Sequence, residues 1–280
     1  MMKQYLAMMI AGAAGGPPMV PGAATEDELT VAPWMAFVDE GQEVDLSLPA
    51  RFDWREQPGA AVMTPITPQG LCGSCVSFAI TSALEAQLNI ACGPGERSFD
   101  LSRQYLFSCG GGTCRAGWKL SSAMEFLASH GTPDTSCLPY AGEGGLDVAC
   151  SESCGNASER LVRPVSFVRP TTGIIDVLAI KRALTKGPLV ANMILFEDLE
   201  SHQSGVYRHT TGRQLGSHAI VFVGWDDQNR SWIARNSWGE DWADGGYFEV
   251  ARDDASLPGR YTWLLDVTQA KASGACEKPF

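Results

Sequence analysis

Cys75 is the residue whose type and position point most directly to chemistry. The segment before it ends in Leu71-Cys72-Gly73-Ser74-Cys75 and runs into an apolar stretch typical of a helix. Free N–H groups and the dipole at a helix N-terminus favour a thiolate, the attacking form of cysteine. The spacing of Cys72 and Cys75 also fits half of a zinc site or a redox pair. Because no second Cys-x2-Cys or His-x3-His completes a metal site, we predict a nucleophile with no metal and no cofactor.

A nucleophilic thiol needs a base, and the sequence offers His130, His202, His209 and His218. His130 falls at a predicted helix end, and His202 and His209 fall in polar loops. His218 instead opens an apolar segment, Ala219-Ile220-Val221-Phe222-Val223, that is typical of a strand. A strand would hold the imidazole ring rigidly, although a lone strand histidine is commonly structural.

Two later residues strengthen the case for His218. Asn236 follows it by 18 residues, in Arg235-Asn236-Ser237-Trp238-Gly239. The amide oxygen of Asn236 could accept from the second ring nitrogen and orient the ring, as the third member of a nucleophilic triad. Trp238 could shield that bond from water. The alternative is an asparagine in a turn beside a buried tryptophan, each of which is common.

The elements that must position these residues change character along the chain. Helical patterns cover Cys75 to about Ile90, 101–108, 119–129 and 174–186, while 140–160 is typical of a loop. Strand patterns cover Leu189–Ile194, His218–Trp225, Ser231–Arg235 and Gly246–Val250. The sequence therefore predicts an α+β fold with a helical domain at 49–160, a β-rich domain at 161–280 and a cleft between them.

Composition restricts the cellular setting. Lys3, the apolar run Tyr5–Ala14 and the small residues Gly22 and Ala24 predict a signal peptide at 1–24, with a disordered N-terminus as the alternative. That run is too short to span a bilayer, so no membrane span is expected. The net charge of −11 argues against a nucleic-acid partner, because proteins that bind nucleic acid normally carry a basic surface. Nine cysteines in an exported chain predict disulfides, and the odd count leaves one thiol unpaired.

These segments together resemble the papain family of cysteine peptidases over residues 48–265. The stretch from Asn236 to Tyr247 is similar to the family's signature around the asparagine. Five residues match in the family's order: Gln69, Cys75, His218, Asn236 and Trp238. The resemblance implies an endopeptidase with a helical left domain and an antiparallel, barrel-like right domain. It implies an oxyanion hole made by the Gln69 side-chain amide and the Cys75 N–H. It also implies substrate contacts at Gly73, Gly117, Ala219 and Trp238.

Within the family the chain is similar to cathepsin B, through Ser204–Gly212 and the Cys150-x3-Cys154 spacing. This likeness implies the disulfides Cys72–Cys114, Cys109–Cys150 and Cys137–Cys154, and it leaves the pairing of Cys92 and Cys276 open. Between the cysteines that correspond to Cys137 and Cys154, cathepsin B carries a long loop with two histidines. Here the segment from 138 to 153 is short and has no histidine, so we expect an endopeptidase without peptidyl-dipeptidase activity.

The resemblance also sets expectations for partners and processing. We expect protein or peptide substrates, inhibition by cystatin-like proteins, and a monomer. We expect the protein to be secreted or to reside in a lysosome- or vacuole-like compartment, or in the periplasm or outside the cell if the host is a bacterium. Residues 25–48 would be a short propeptide of a zymogen. Val76 stands where the family has tryptophan, and Arg115-Ala116 replaces Asn-Gly. These departures leave open an alternative, a catalytically silent homologue that binds peptides or an inhibitor, although the retained Gln69, Cys75, His218 and Asn236 argue against it.

Overall fold

The computed structural model describes residues 45, 47–57, 62–93, 99–269 and 276. The predicted signal peptide and nearly all of the predicted propeptide lie outside these residues. The described helices are Cys75–Cys92 (α1), Arg103–Gly110 (α2), Leu120–Ser129 (α3), Ala157–Arg160 (α4) and Val177–Leu184 (α5). The strands are Arg51–Asp53 (β1), Ser166–Thr172 (β2), Leu189–Phe196 (β3), Val206–Tyr207 (β4), Gln214–Asp226 (β5), Ser231–Arg235 (β6), Tyr247–Ala251 (β7) and Tyr261–Asp266 (β8).

The long helix α1 forms the centre of the helical half. Every residue from Cys75 to Leu88 is buried, and the helix ends at Gly93, which has φ of 81°. A positive φ is easily adopted only by glycine, so the chain turns away there. By length and composition α1 could cross a membrane, but 78% of it is buried inside the protein, as in the core helix of a soluble domain. Its position places Cys75 at the start of a rigid element.

The strands form one sheet in the order β2-β8-β3-β5-β6-β7-β4, with β1 also paired to β5. All pairs are antiparallel except β4–β7, which is parallel. This is a correction to the wholly antiparallel sheet expected above. The reason is local, because the two-residue strand β4 lies along the edge of β7 after a 3-10 turn at Glu197–Ser201.

Side chains of β5 alternate between two cores, as the two-residue period of a strand requires. Ala219, Val221 and Val223 pack in the cluster that contains α1. Ile220 and Phe222 pack in the cluster that contains α5. The central strand is therefore covered on both faces, and the residues at its start are held between the two halves of the molecule.

Four disulfides join the chain, and they leave one cysteine free. The bridges are Cys72–Cys114, Cys109–Cys150, Cys137–Cys154 and Cys92–Cys276. The first three are the pairs that the resemblance implies, and the fourth settles Cys92 and Cys276, whose pairing the sequence left open. The free cysteine is Cys75, and it is buried. Because the Cys72 sulfur is bonded to Cys114, neither a zinc site nor a Cys72–Cys75 redox pair is available.

The two halves exchange short pieces of chain across the boundary predicted at residue 160. Strand β1, which precedes all the described helices, pairs with residues 224–226 at the end of β5. In the other direction, Cys276 reaches back to Cys92 at the end of α1. The sheet therefore contains a strand from the first half of the chain, and the helical core is fastened to the far end of the second.

Candidate active site

Cys75 is the first residue of α1 and lies against the start of the buried part of β5. Its side chain is buried, and the backbone N–H groups of Ala219 and Val76 act to lower the pKa of its thiol. Cys75 and Ala219 belong to the same buried cluster, and Ala219 directly follows His218, so the nucleophile candidate lies near the strand that carries the predicted base. No hydrogen bond joins Sγ to the His218 ring among the described contacts.

His218 is oriented by one strong, buried hydrogen bond. Its Nε2 lies 2.8 Å from Oδ1 of Asn236, and both residues are buried. The same Oδ1 accepts the backbone N–H of Ser237 at 2.8 Å, which fixes the orientation of the amide. Because Oδ1 can only accept, Nε2 carries the proton in the neutral ring, and Nδ1 keeps its lone pair. Nδ1 has no partner among the described residues.

Trp238 covers this pair. Its ring lies 5.1 Å from the imidazole centroid, tilted by 31°, and Trp242 packs edge-on against it at 5.0 Å. An aromatic cover excludes water that would compete for the Nε2–Oδ1 bond. The shielding predicted for Trp238 therefore has a geometric basis in the structure.

Burial disfavours a lone charge on either reactive group. It raises the pKa of the Cys75 thiol to about 11, against the opposing effect of backbone N–H groups. It lowers the pKa of His218 to about 4, against the opposing effect of Asn236. The sequence predicts a thiolate–imidazolium pair, whereas desolvation favours the neutral forms at rest. A proton passed from Sγ to Nδ1 would create two opposite charges together, whose attraction offsets the desolvation.

Gln69 is held by residues from both halves. Its Nε2 donates to the carbonyl of Cys72 at 2.8 Å, and its Oε1 accepts the hydroxyl of Ser237 at 2.5 Å. The backbone N–H of Gln69 also donates to Ser237 O at 2.8 Å. A primary amide has two N–H donors, so one remains for a substrate oxygen. Sequence reasoning missed Ser237, although it lies in the same Asn-Ser-Trp stretch as Asn236.

The glycines predicted to contact substrate lie together beside the nucleophile turn. A Cβ on Gly73 would lie 2.9 Å from Cys114 O and 3.2 Å from the Cα of Gly117, so the close approach requires glycine. Gly117 donates its N–H to Thr113 O at 2.8 Å and accepts from Thr113 N at 3.2 Å. Only the second lone pair of its carbonyl is open, so substrate pairing at Gly117 stays a prediction.

The other three histidines make contacts of their own. His130 stacks on Phe126 at 4.5 Å. His209 bonds Asp198 through Nδ1 at 3.0 Å. His202 packs near Trp242, at 6.2 Å between ring centroids. These contacts give each ring a structural role, and His218 is the histidine next to Ala219, which shares a buried cluster with Cys75. Among the described residues, no cluster of side chains has the arrangement of a metal site.

Comparison with known proteins identifies the family that the sequence resembles. The family model described as papain family cysteine protease matches residues 48–261. Cathepsin B-like CP3 of Giardia intestinalis is 35% identical over 224 residues, which cover 78% of this chain and 74% of that protein. Two solved structures share the fold. They are proCathepsin B S9 from Trypanosoma congolense (TM-score 0.68, 24% identity, 89% of this chain and 82% of that one) and the Carica candamarcensis cysteine protease CMS1MS2 in complex with E-64 (TM-score 0.62, 22% identity, 78% and 99%).

Proposed function

The chain belongs to the papain family of cysteine proteases, and on that premise we propose that it is an endopeptidase with Cys75 as nucleophile and His218 as its base. One observation carries the assignment of residues. The 2.8 Å bond from Nε2 to Asn236 leaves Nδ1 as the ring nitrogen without a partner among the described residues, and the next residue, Ala219, shares a buried cluster with Cys75. A free, buried thiol beside an imidazole with a fixed tautomer is the arrangement that nucleophilic catalysis needs.

The chemistry follows from these positions. As Sγ attacks the carbonyl carbon of the peptide bond, its proton passes to Nδ1 of His218. The oxyanion that forms is bound by the free N–H of the Gln69 amide and by the backbone N–H of Cys75. The imidazolium then gives its proton to the leaving amine, which departs and leaves a thioester. As water attacks the thioester carbonyl it gives a proton to Nδ1. Collapse of the intermediate breaks the C–S bond, which releases the acid product, and the proton returns from Nδ1 to Sγ.

The endopeptidase mode is supported by the segment between Cys137 and Cys154. It contains three acidic residues and no histidine, lysine or arginine. Gripping the terminal carboxylate of a substrate requires a cation or several aligned donors, so this segment is unsuited to the task. It packs instead on the turn before Cys75, where the N–H of Leu71 donates to Glu143 O at 2.8 Å. We therefore propose that the cleft is open to internal peptide bonds.

We further propose protein substrates, inhibition by cystatin-like proteins, and action outside the cytosol, in a secreted or lysosome-like setting. Four disulfides in one chain support an oxidising route of synthesis. The similar Carica protease was solved with E-64, which supports a thiol reactive toward that inhibitor. The predicted signal peptide and propeptide remain predictions.

The assignment is tested with a peptide that carries a quenched fluorophore and is blocked at both ends. Wild-type protein should cleave it internally, whereas Cys75→Ala and His218→Ala should fall to background. His130→Ala, which removes an exposed histidine, is the matched control and should cleave like wild type. Mass spectrometry should find E-64 on Cys75 alone.

Two results would count against the proposal. Binding of the peptide without turnover, unchanged in Cys75→Ala, would indicate the catalytically silent homologue. Release of dipeptides from an unblocked C-terminus, with no internal cleavage, would refute the endopeptidase mode.

A further inference from the structure

Residues 113–117 form a tight turn that lies directly on the nucleophile turn. The disulfide Cys72–Cys114 brings the Cα atoms of the two turns to 4.2 Å. The N–H of Gly73 donates to Cys114 O at 2.9 Å, and a Cβ on Gly73 would lie 3.2 Å from the Cα of Gly117. Gly73 is two residues before Cys75, so this turn borders the segment that carries the nucleophile.

Hydrogen bonds fix the backbone of this turn. The N–H of Gly117 donates to Thr113 O at 2.8 Å, and the N–H of Thr113 donates to Gly117 O at 3.2 Å. Between them, the N–H of Cys114 donates to Oδ1 of Asp147 at 2.6 Å. Arg115 follows Cys114 at the tip of the turn, and it is exposed. The place from which the Arg115 side chain extends is therefore fixed, while the residue itself is open to solvent.

Arg115 has no partner in the part of the chain that the structure describes. It makes no hydrogen bond, ion pair or ring contact there. Asp147 is the carboxylate that the turn already binds, and it takes the N–H of Cys114 rather than the guanidinium. A guanidinium presents five N–H donors in a planar fork that matches a carboxylate. The donors of Arg115 are therefore available to a carboxylate on a bound peptide.

The path of the substrate decides which of its residues meets the turn at 113–117. The leaving amine takes its proton from His218, so the residues after the scissile bond lie toward that ring and toward Trp238, which covers it. Gln69 stands on the same side, because it is bonded to Ser237. Among the described residues, no hydrogen bond joins the turn at 113–117 to Gln69 or Ser237. We therefore expect the residues before the scissile bond to run past this turn.

The spacing of an extended peptide identifies the substrate residue that Arg115 meets. Such a peptide advances about 3.3 Å per residue, so a residue two or three places before the scissile bond lies about 7–10 Å along the cleft from the attacked carbon. On the basis of the peptidase function proposed above, we propose that Arg115 is a specificity-determining residue: it binds the carboxylate of a glutamate or aspartate at one of these two places. The chain carries a net charge of −11, so this cation favours an acidic residue at one place, while the rest of the protein disfavours acidic peptides.

Matched peptides test the proposal through their relative kcat/KM. The blocked fluorogenic peptide is made with Glu, Gln or Lys at the second or the third position before its cleaved bond, which mass spectrometry locates. At pH 6 the Glu side chain of the peptide is ionised, and at one of these positions wild-type protein should prefer Glu to Gln about two- to fivefold, as for an exposed ion pair. The preference should appear mainly in KM, because the pair forms before the reaction, and it should shrink in about 0.5 M salt.

Substitution of Arg115 should remove and then reverse this preference. In Arg115→Gln the Glu-to-Gln ratio should fall to about one, and in Arg115→Glu the Lys peptide should become the preferred one. Lys186→Gln, at an exposed position after α5, removes the same unit of charge and should keep the wild-type ratio. If Arg115→Glu does not fold, Arg115→Gln decides.

Failure of this inference differs from failure of the proposed function. A Glu-to-Gln ratio of about one in wild type at both positions, or an unchanged ratio in Arg115→Gln, would overturn the role of Arg115 and leave the peptidase assignment intact. An equal loss of preference in Lys186→Gln would also overturn it, because net charge and not Arg115 would then set the preference. If wild type cleaves none of the peptides, the peptidase assignment falls. The dissociation constants of the same peptides for Cys75→Ala protein then decide the role of Arg115, with the Glu peptide expected to bind more tightly than the Gln peptide.

Discussion

Replacing Asn236 with alanine removes the acceptor that holds the His218 ring. The lost bond is 2.8 Å long and lies between two buried side chains, so water cannot take its place easily. Removing one partner of a buried hydrogen bond costs about 1–3 kcal/mol, which corresponds to about 5- to 150-fold in rate if the loss is felt in the transition state. Trp238 still covers the ring at 5.1 Å, so part of its orientation should survive.

The measurement is kcat/KM on the blocked fluorogenic peptide, with active sites counted by E-64. The loss should appear mainly in kcat, because the Nε2 bond matters most when the ring becomes charged. Asn229→Ala, at an exposed turn, is the matched control and should keep the wild-type value. A loss below twofold would refute the orienting role. A loss as complete as that of Cys75→Ala would show that Asn236 does more than orient.

Three further predictions follow from other contacts. Gln69→Ala should lower kcat by ~10²–10³-fold with a small change in KM, because one oxyanion donor is lost. Ser237→Ala should lower kcat less, because it removes only the hydroxyl that orients the Gln69 amide. Replacing Cys92 and Cys276 together by serine should lower the free energy of unfolding by about 2–5 kcal/mol and leave kcat/KM unchanged. Asp198→Asn should lower the free energy of unfolding at pH 6 by about 1–3 kcal/mol, and the difference should shrink toward pH 2.

The sign of the Asp198 effect comes from its pKa. Burial would raise that pKa, but bonds from Thr210, Tyr207 and His209 hold it well below the usual value. A depressed pKa contributes stability above the unfolded pKa of about 3.9, and this stability is lost as pH falls. Equal destabilisation at both pH values would contradict this reasoning. An equal loss of kcat in Gln69→Ala and Ser237→Ala would contradict the role of Gln69 as an oxyanion donor. An unchanged free energy of unfolding without the Cys92–Cys276 bridge would contradict its stabilising role.

The sequence predicted the elements that carry strong local patterns. Helix α1 was expected from Cys75 to about Ile90 and extends to Cys92, because its apolar stripe is continuous to the Gly93 turn. The helix expected at 174–186 begins later, at Val177, because the Asp176 side chain caps it by accepting the N–H of Ala179. The strand Ser231–Arg235 was predicted to the residue.

Elements that depend on distant partners were not predicted. Strand β2 contains Pro170 and several exposed residues at the edge of the sheet, so its sequence has no clear two-residue alternation. Strand β1 is three residues long and exists through its pairing with β5. Tyr140 shows the same limit in the turn before Cys75. Its hydroxyl donates to Gln69 O and lies 2.7 Å from Ser74 Oγ, and because both partners are more than 60 residues away no local pattern predicts these contacts.

The disulfides determine what happens when one molecule of a protease cleaves another. Leu146, 76% exposed, is a large apolar side chain on the acidic segment from 142 to 148, where a neighbouring molecule could cut. Three bridges span that segment: Cys92–Cys276, Cys109–Cys150 and Cys137–Cys154. A chain nicked there would remain one covalent particle, with Cys75 and His218 on different polypeptides that still face each other. Autolysis at this site should thus yield a two-chain enzyme, which separates on a gel only after reduction.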